Sequence, residues 1–98
     1  MLKLSVMPKA ESDLVEIWMY TCGEWGLDQA DKYLDQLGEG MKQLINHPSL
    51  GADYAHVFSG YRRLQVEHHA VFYQVLELEV LVVRVLHEDM DAPHRLLD

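Results

Sequence analysis

The side chains with most chemistry to offer are arginines and histidines, and the cations are unevenly placed. All four arginines (Arg62, Arg63, Arg84, Arg95) follow residue 55, and all four lysines (Lys3, Lys9, Lys32, Lys42) precede it. A guanidinium binds carboxylate or phosphate through a planar fork. Four of them on or near one sheet would make a local positive patch. Arg84 interrupts the apolar run Val80–Leu86. Burying an unpaired guanidinium is strongly unfavourable. Arg84 therefore either pairs with a carboxylate such as Glu67 or Glu77, or lies near the end of a sheet and contacts a partner. His68 and His69 are neighbours; on a strand they would point to opposite faces and could not hold one ion together. His87, Asp89, Asp91 and His94 are denser but follow no metal-ligand spacing. No metal and no cofactor is expected. The single Cys22 closes no internal disulfide and reads as a small core residue on an apolar stripe.

These groups need elements to position them. Residues 2–6 alternate apolar and polar, which predicts a short half-buried strand. Pro8 suits the first turn of a helix. Leu14, Ile17, Trp18, Thr21, Cys22 and Trp25 recur at helical spacing. Glu11, Asp13 and Glu16 crowd the start of that helix, where carboxylates complement the dipole and read as a solvated face. Gly23 and Gly26 bracket its end. Asp28 is then expected to cap a second helix whose stripe is Ala30, Tyr33, Leu34, Leu37, Met41, Leu44 and Ile45, ending near Asn46 before His47-Pro48. Gly38 and Gly40 lie inside it, predicting a kink or a close approach. A loop runs through Gly60. Strands are then expected at Tyr61–Glu67, Ala70–Leu76 and Val80–Leu86, with the turn at Glu77-Leu78-Glu79. The Ala70–Leu76 run is nearly all apolar, as a strand covered on both faces would be. A short helix from Ala92 to Leu97 closes the chain. The order β-α-α-β-β-β predicts an α+β fold, a helical hairpin packed on a mostly antiparallel sheet.

Composition bounds the function. The chain has 98 residues, 49% hydrophobic and 24% charged, which suits one folded domain spanning 1–98. No apolar run approaches the roughly 18 residues of a membrane span, and the start lacks the apolar core of a signal peptide. A soluble, cytoplasmic protein without a membrane partner is expected. Sixteen acidic against eight basic side chains give a net charge of −8. Such a chain repels a polyanion at long range, so direct nucleic-acid binding is not expected; it favours a basic partner.

Several stretches, in order, carry a family resemblance. They are Pro8-Lys9-Ala10-Glu11 through Tyr20, then Trp25-Gly26 with Tyr33-Leu34, then His47-Pro48 with Gly51. Gly60-Tyr61-Arg62-Arg63, His69 through Val75, and Arg84-Val85-Leu86-His87 with Met90-Asp91 complete the set. The chain resembles the ParE toxins of bacterial toxin–antitoxin modules, within the RelE/ParE superfamily of plasmid stabilisation proteins. The resemblance implies a toxin in a hetero-oligomer with a cognate antitoxin, whose charged or basic tail wraps it. DNA gyrase is the implied target. It also raises the alternative of a RelE-like, ribosome-dependent mRNA endonuclease, for which Arg62, Arg63, Arg84 and His87 would be the catalytic candidates. The tail after the last strand offers no Tyr but Glu88, Asp89 and Asp91, and anions beside a scissile phosphate oppose cleavage. No catalytic residue is therefore expected. A third alternative is a degenerate member that binds antitoxin without toxicity. Contact candidates for target or antitoxin are Trp18, Trp25, Tyr33, Tyr61, Arg62, Arg63, Arg84, His87 and Arg95. Trp18, Tyr20, Trp25 and Tyr33 either pack the hairpin or line a groove for the antitoxin.

Overall fold

The computed structural model describes residues 2–97. The first strand, β1 (Lys3–Val6), passes through Met7 directly into helix α1 (Pro8–Trp25), with proline in its first turn. There the missing N–H costs nothing. Gly26, at φ 91°, is the single residue between α1 and helix α2 (Leu27–Asn46). That left-handed backbone strains any residue with a Cβ, so glycine permits the tight hairpin. Trp18 on α1 donates its indole N–H to Asp31 Oδ1 on α2 at 2.9 Å and clasps the two helices.

The chain then makes β2 (Ala52–Asp53), β3 (Arg62–Val66), β4 (His69–Val75), β5 (Glu79–His87) and a final helix α3 (Ala92–Leu97). The sheet order is β1-β5-β4-β3-β2. Among the described residues only β1 runs parallel to its neighbour β5; the other pairs are antiparallel. The expected α+β hairpin-on-sheet architecture is observed. β2 departs from expectation: Ala52 and Asp53 pair with Arg63 and Arg62 within a stretch that reads as loop. Two residues between turns give no alternation to detect.

Leu37, Leu44, Val71, Tyr73, Val80, Val82 and Val85 form the core between the helices and the sheet. Burying each such side chain contributes about 1.5–3 kcal/mol. On the other sheet face, Ala70, Phe72 and Leu86 are covered by Tyr54, Ala92 and Leu96. β4 is thus buried on both sides, as its apolar run predicts. Gly40 does not kink α2. A Cβ there would meet Val66 Cγ2 at 2.7 Å, so the glycine lets α2 approach β3. Gly38 faces open space.

Two details of β5 set up the site. First, its pairing with β4 steps from Tyr73↔Val82 to Phe72↔Arg84, leaving Val83 as an extra residue. Such a bulge resets the alternation, and both Val82 and Val85 face the helix core. Second, β1 stops at Val6, opposite Val82, whereas β5 continues to His87. The last turn of β5 therefore has α1, not a strand, along one edge.

Candidate functional site

Past the end of β1, the β5 edge meets a carboxylate. Asp13 Oδ2 accepts the Val85 backbone N–H at 3.0 Å and Arg84 Nε at 2.7 Å; its Oδ1 accepts Arg84 Nη2 at 2.9 Å. The side chain stands in for the missing strand and satisfies a donor that would otherwise be buried unpaired. Arg84 Nη1 donates to the Arg95 carbonyl at 2.7 Å, so one guanidinium ties α1, β5 and α3 together. This corrects two expectations. Asp13 is buried rather than part of a solvated face, and it, not Glu67 or Glu77, pairs with Arg84. The reason is the short β1, which exposes the β5 edge to α1. Glu79 instead accepts a hydrogen bond from Ser5 at 2.6 Å.

Beside this ion pair opens a groove of about 1050 Å³ between α1, α2, the β3–β4 turn, the end of β5 and α3. Its floor is a polar chain of rings. Tyr33 Oη accepts the His68 backbone N–H at 3.2 Å and lies 2.5 Å from His69 Nδ1. The phenol proton is thus directed to Nδ1, leaving the His69 proton on Nε2. His69 and His87 meet edge to face, with centroids 5.2 Å apart. His87 Nδ1 accepts the Asp89 N–H at 3.1 Å. His68 Nδ1 and Glu88 Oε2 are 2.9 Å apart, and Gln65 donates to the other Glu88 oxygen at 3.2 Å. His68 lies in the turn after β3 rather than on a strand, so it lines the same groove as His69 instead of pointing to the opposite face. Among the described residues no group of three or more His, Cys, Asp or Glu converges as a metal site.

Burial pushes the His69 imidazole down to about 4, helped by repulsion from His87 and His68 and opposed by Glu88. Burial likewise raises the Tyr33 phenol, against the hydrogen bond from the His68 backbone. Hydrogen bonding to His68 holds Glu88 below its ordinary value. Because the folded value of His69 lies below the ordinary 6.5, the unfolded chain binds the extra proton first as pH falls. Its contribution is full above about pH 6.5 and is lost between that value and about pH 4, on the order of 1–2 kcal/mol for a half-buried group. Glu88 acts in the same direction at lower pH. Thermal unfolding followed from about pH 7 to about pH 4.5 is expected to show a falling midpoint that flattens in His69→Gln. A wild-type profile as flat as the variant's would remove His69 as the cause.

The rim is apolar and exposed. Tyr20 is 70% exposed, Trp25 73% and Met90 44%, and all three line the groove. The helical spacing puts Trp25 on the packing stripe, but it is the last residue of α1 and stands exposed. Of the nine contact candidates, the structure gathers Trp25, Tyr33, Arg84, His87 and Arg95 around this groove. The other four lie elsewhere. Trp18 clasps the hairpin. Tyr61 stacks with Phe58, at 6.0 Å between centroids. Arg62 donates to the carbonyls of Gly51 and Ser49. Arg63 lies over the Phe72 ring at 5.9 Å. The four arginines therefore make no single cationic patch. Asp13, Tyr20, His69 and Glu88 are site residues absent from that set. Asp13 carries a legible signal, since it falls on the Ala10–Leu14–Ile17 stripe.

Comparison with known proteins gives a consistent relation. Residues 4–92 match the family model described as the ParE toxin of the type II toxin–antitoxin system parDE. The chain is 39% identical over 90 residues to "Toxin ParE1" of Mycobacterium tuberculosis, covering 91% of this chain and 92% of that one. It is 37% identical to "Toxin ParE1" of Caulobacter vibrioides, covering 86% of each. It is 38% identical to "Toxin ParE" of Escherichia coli, covering 92% of this chain and 88% of the relative. Among solved structures, "Chromosomal ParDE TA system from P. aeruginosa" superposes with a TM-score of 0.80 at 25% identity, covering 89% of this chain and 96% of that one.

Proposed function

This chain belongs to the ParE toxins of type II toxin–antitoxin systems, and on that premise we propose that it inhibits DNA gyrase by protein contact and is neutralised by a cognate antitoxin seated in the groove. The observation that carries the choice of protein contact over RNA cleavage is the Arg84–Asp13 pair. Arg84 spends its guanidinium on Asp13 and the Arg95 carbonyl, so it is not poised to hold a scissile phosphate. Arg62 and Arg63 lie on β3, outside the groove that holds Arg84 and His87. The exposed aromatic rim is instead the composition of a protein interface core. Net charge fits the same reading, since −8 attracts a basic partner and repels RNA.

The test is a gyrase supercoiling assay with the purified chain, alone and with the antitoxin from the adjacent reading frame, alongside message integrity in induced cells. Inhibition relieved by the antitoxin, with messages intact, is the expected result. Message cleavage with unaffected supercoiling would replace this reading with a nuclease.

A further inference from the structure

The sheet face turned away from the helical hairpin carries a second surface, and its charge is unlike that of the whole chain. Between Asp53 and Glu77 the one acidic residue is Glu67, although the chain holds sixteen in all. Arg62 and Arg63 fall in the same stretch. The loop that opens it, between β2 and β3, is closed by its own backbone. Tyr54 N–H donates to the Tyr61 carbonyl at 3.0 Å, and the Val57 and Phe58 N–H groups both donate to the Tyr54 carbonyl at 3.0 Å. Phe58 stacks on Tyr61 within it. The Asp53 carboxylate at its start accepts the Ala55 N–H at 2.8 Å. A compact loop with joined ends, packed by its own side chains, presents a fixed surface. Its tip shows His56 and Val57 to solvent.

The loop is rooted on the sheet through Tyr54, which meets the Phe72 ring edge to face at 5.2 Å and the His56 ring at 5.5 Å. Arg63, directly opposite Phe72 in the β3–β4 register, lays its guanidinium over the same phenyl ring. A ring face attracts a guanidinium but leaves its in-plane N–H donors open. Among the described residues no carboxylate and no carbonyl takes those donors. Arg62 differs, since its donors go to the carbonyls of Gly51 and Ser49. Arg63 and the loop tip lie outside the groove.

We propose that the 54–61 loop and Arg63 form a second docking surface, which takes an acidic segment of the target protein, with a carboxylate on the Arg63 guanidinium and apolar side chains against Val57 and Phe58. The inference rests on the reading of the chain as an inhibitor that acts by protein contact, and it names a surface the target uses alongside the groove. Charge separates the two partners. A net charge of −8 draws a basic antitoxin, whereas Arg63 in its acid-poor surroundings repels a basic tail and attracts an acid. The composition selects a protein over a nucleic acid. Tyr, Phe and Arg are enriched in protein interfaces, while a phosphate backbone is held by a run of cations. Here Arg63 stands beside His56 alone, because Arg62 is turned to the backbone.

The test compares the full wild-type chain with His56→Glu, which sets an acid on the exposed tip, and Arg63→Gln, which removes the charge and keeps most of the stem. Gyrase inhibition, antitoxin affinity, plasmid binding and the unfolding midpoint are measured for each. Both variants are expected to need about tenfold more toxin for half-inhibition, the scale of one charge-assisted contact. Antitoxin affinity and the midpoint are expected to stay at the wild-type values. Wild-type potency in either folded variant would overturn the surface and leave the functional reading standing. His56 is exposed, so that arm does not depend on how Arg63→Gln folds. An equal loss of antitoxin affinity would also overturn it, because the two partners would then share one site. Plasmid binding by the wild type that both variants lose would make the occupant a nucleic acid and overturn the protein segment. A wild-type chain that binds its antitoxin and leaves gyrase untouched would overturn the functional reading, and this surface with it.

Discussion

Asp13→Ala is expected to cost about 3–5 kcal/mol of stability, the range found when one partner of a buried ion pair is removed. The pair is nearly enclosed, with the two side chains 12% and 10% exposed. Alanine leaves Arg84 charged without its carboxylate and strips the Val85 N–H of its acceptor. For a domain of this length the midpoint would fall by roughly 15–25 °C. Arg84→Met should cost less, because Asp13 keeps its bond to the Val85 N–H and methionine fills much of the guanidinium's stem volume. The double variant should fall short of the sum by on the order of 2 kcal/mol. Additive losses, or an Arg84→Met variant less stable than Asp13→Ala, would show that Asp13 does not act as the cap on β5. The pair also holds α3 through the Arg95 carbonyl, so amides of Ala92–Leu97 should lose protection in both single variants before the core does.

The second large effect is expected in binding rather than in stability. Trp25→Ala should leave the unfolding midpoint nearly unchanged, within about 0.5 kcal/mol, because the ring is 73% exposed and ends its helix. Antitoxin affinity should drop by about 2–4 kcal/mol, the loss typical of a tryptophan anchor at the centre of an interface. That corresponds to roughly 30- to 1000-fold in Kd. Calorimetric titration and thermal denaturation on the same preparation separate the two quantities. If Trp25 packed the hairpin, as its spacing from Trp18 suggests, stability would fall and affinity would hold.

The sequence made the architecture legible because its periodicities are long and unmixed. The two helical stripes and the apolar runs of β4 and β5 each span several turns or pleats, so element type and order follow directly. The site was legible only in part. Arg84 stands out among valines, and the need for a carboxylate follows from its burial. Its partner lies 71 positions away, and nothing local names it. Asp13 does leave a trace, since it is an acid within the Ala10–Leu14–Ile17 stripe. An ion on an apolar helix face and an ion in an apolar strand each need a partner, and matching the two would have found the bond. The Tyr33–His69 contact carries no such trace. It depends on where α2 crosses the β3–β4 turn, which Gly40 and Val66 set by close approach. Trp25 misleads for a simpler reason. A stripe predicts burial only while another element packs against it, and Trp25 is the last residue of its helix and 73% exposed.

Supercoiling of relaxed plasmid by purified gyrase is the direct test of whether this chain inhibits the enzyme. This chain, added at increasing ratio, is expected to block supercoiling and to trap cleaved complexes. Prior mixing with the antitoxin is expected to restore full activity, because the groove is then filled. Undiminished supercoiling at every ratio, with the chain folded and able to bind its antitoxin, would contradict that inhibition.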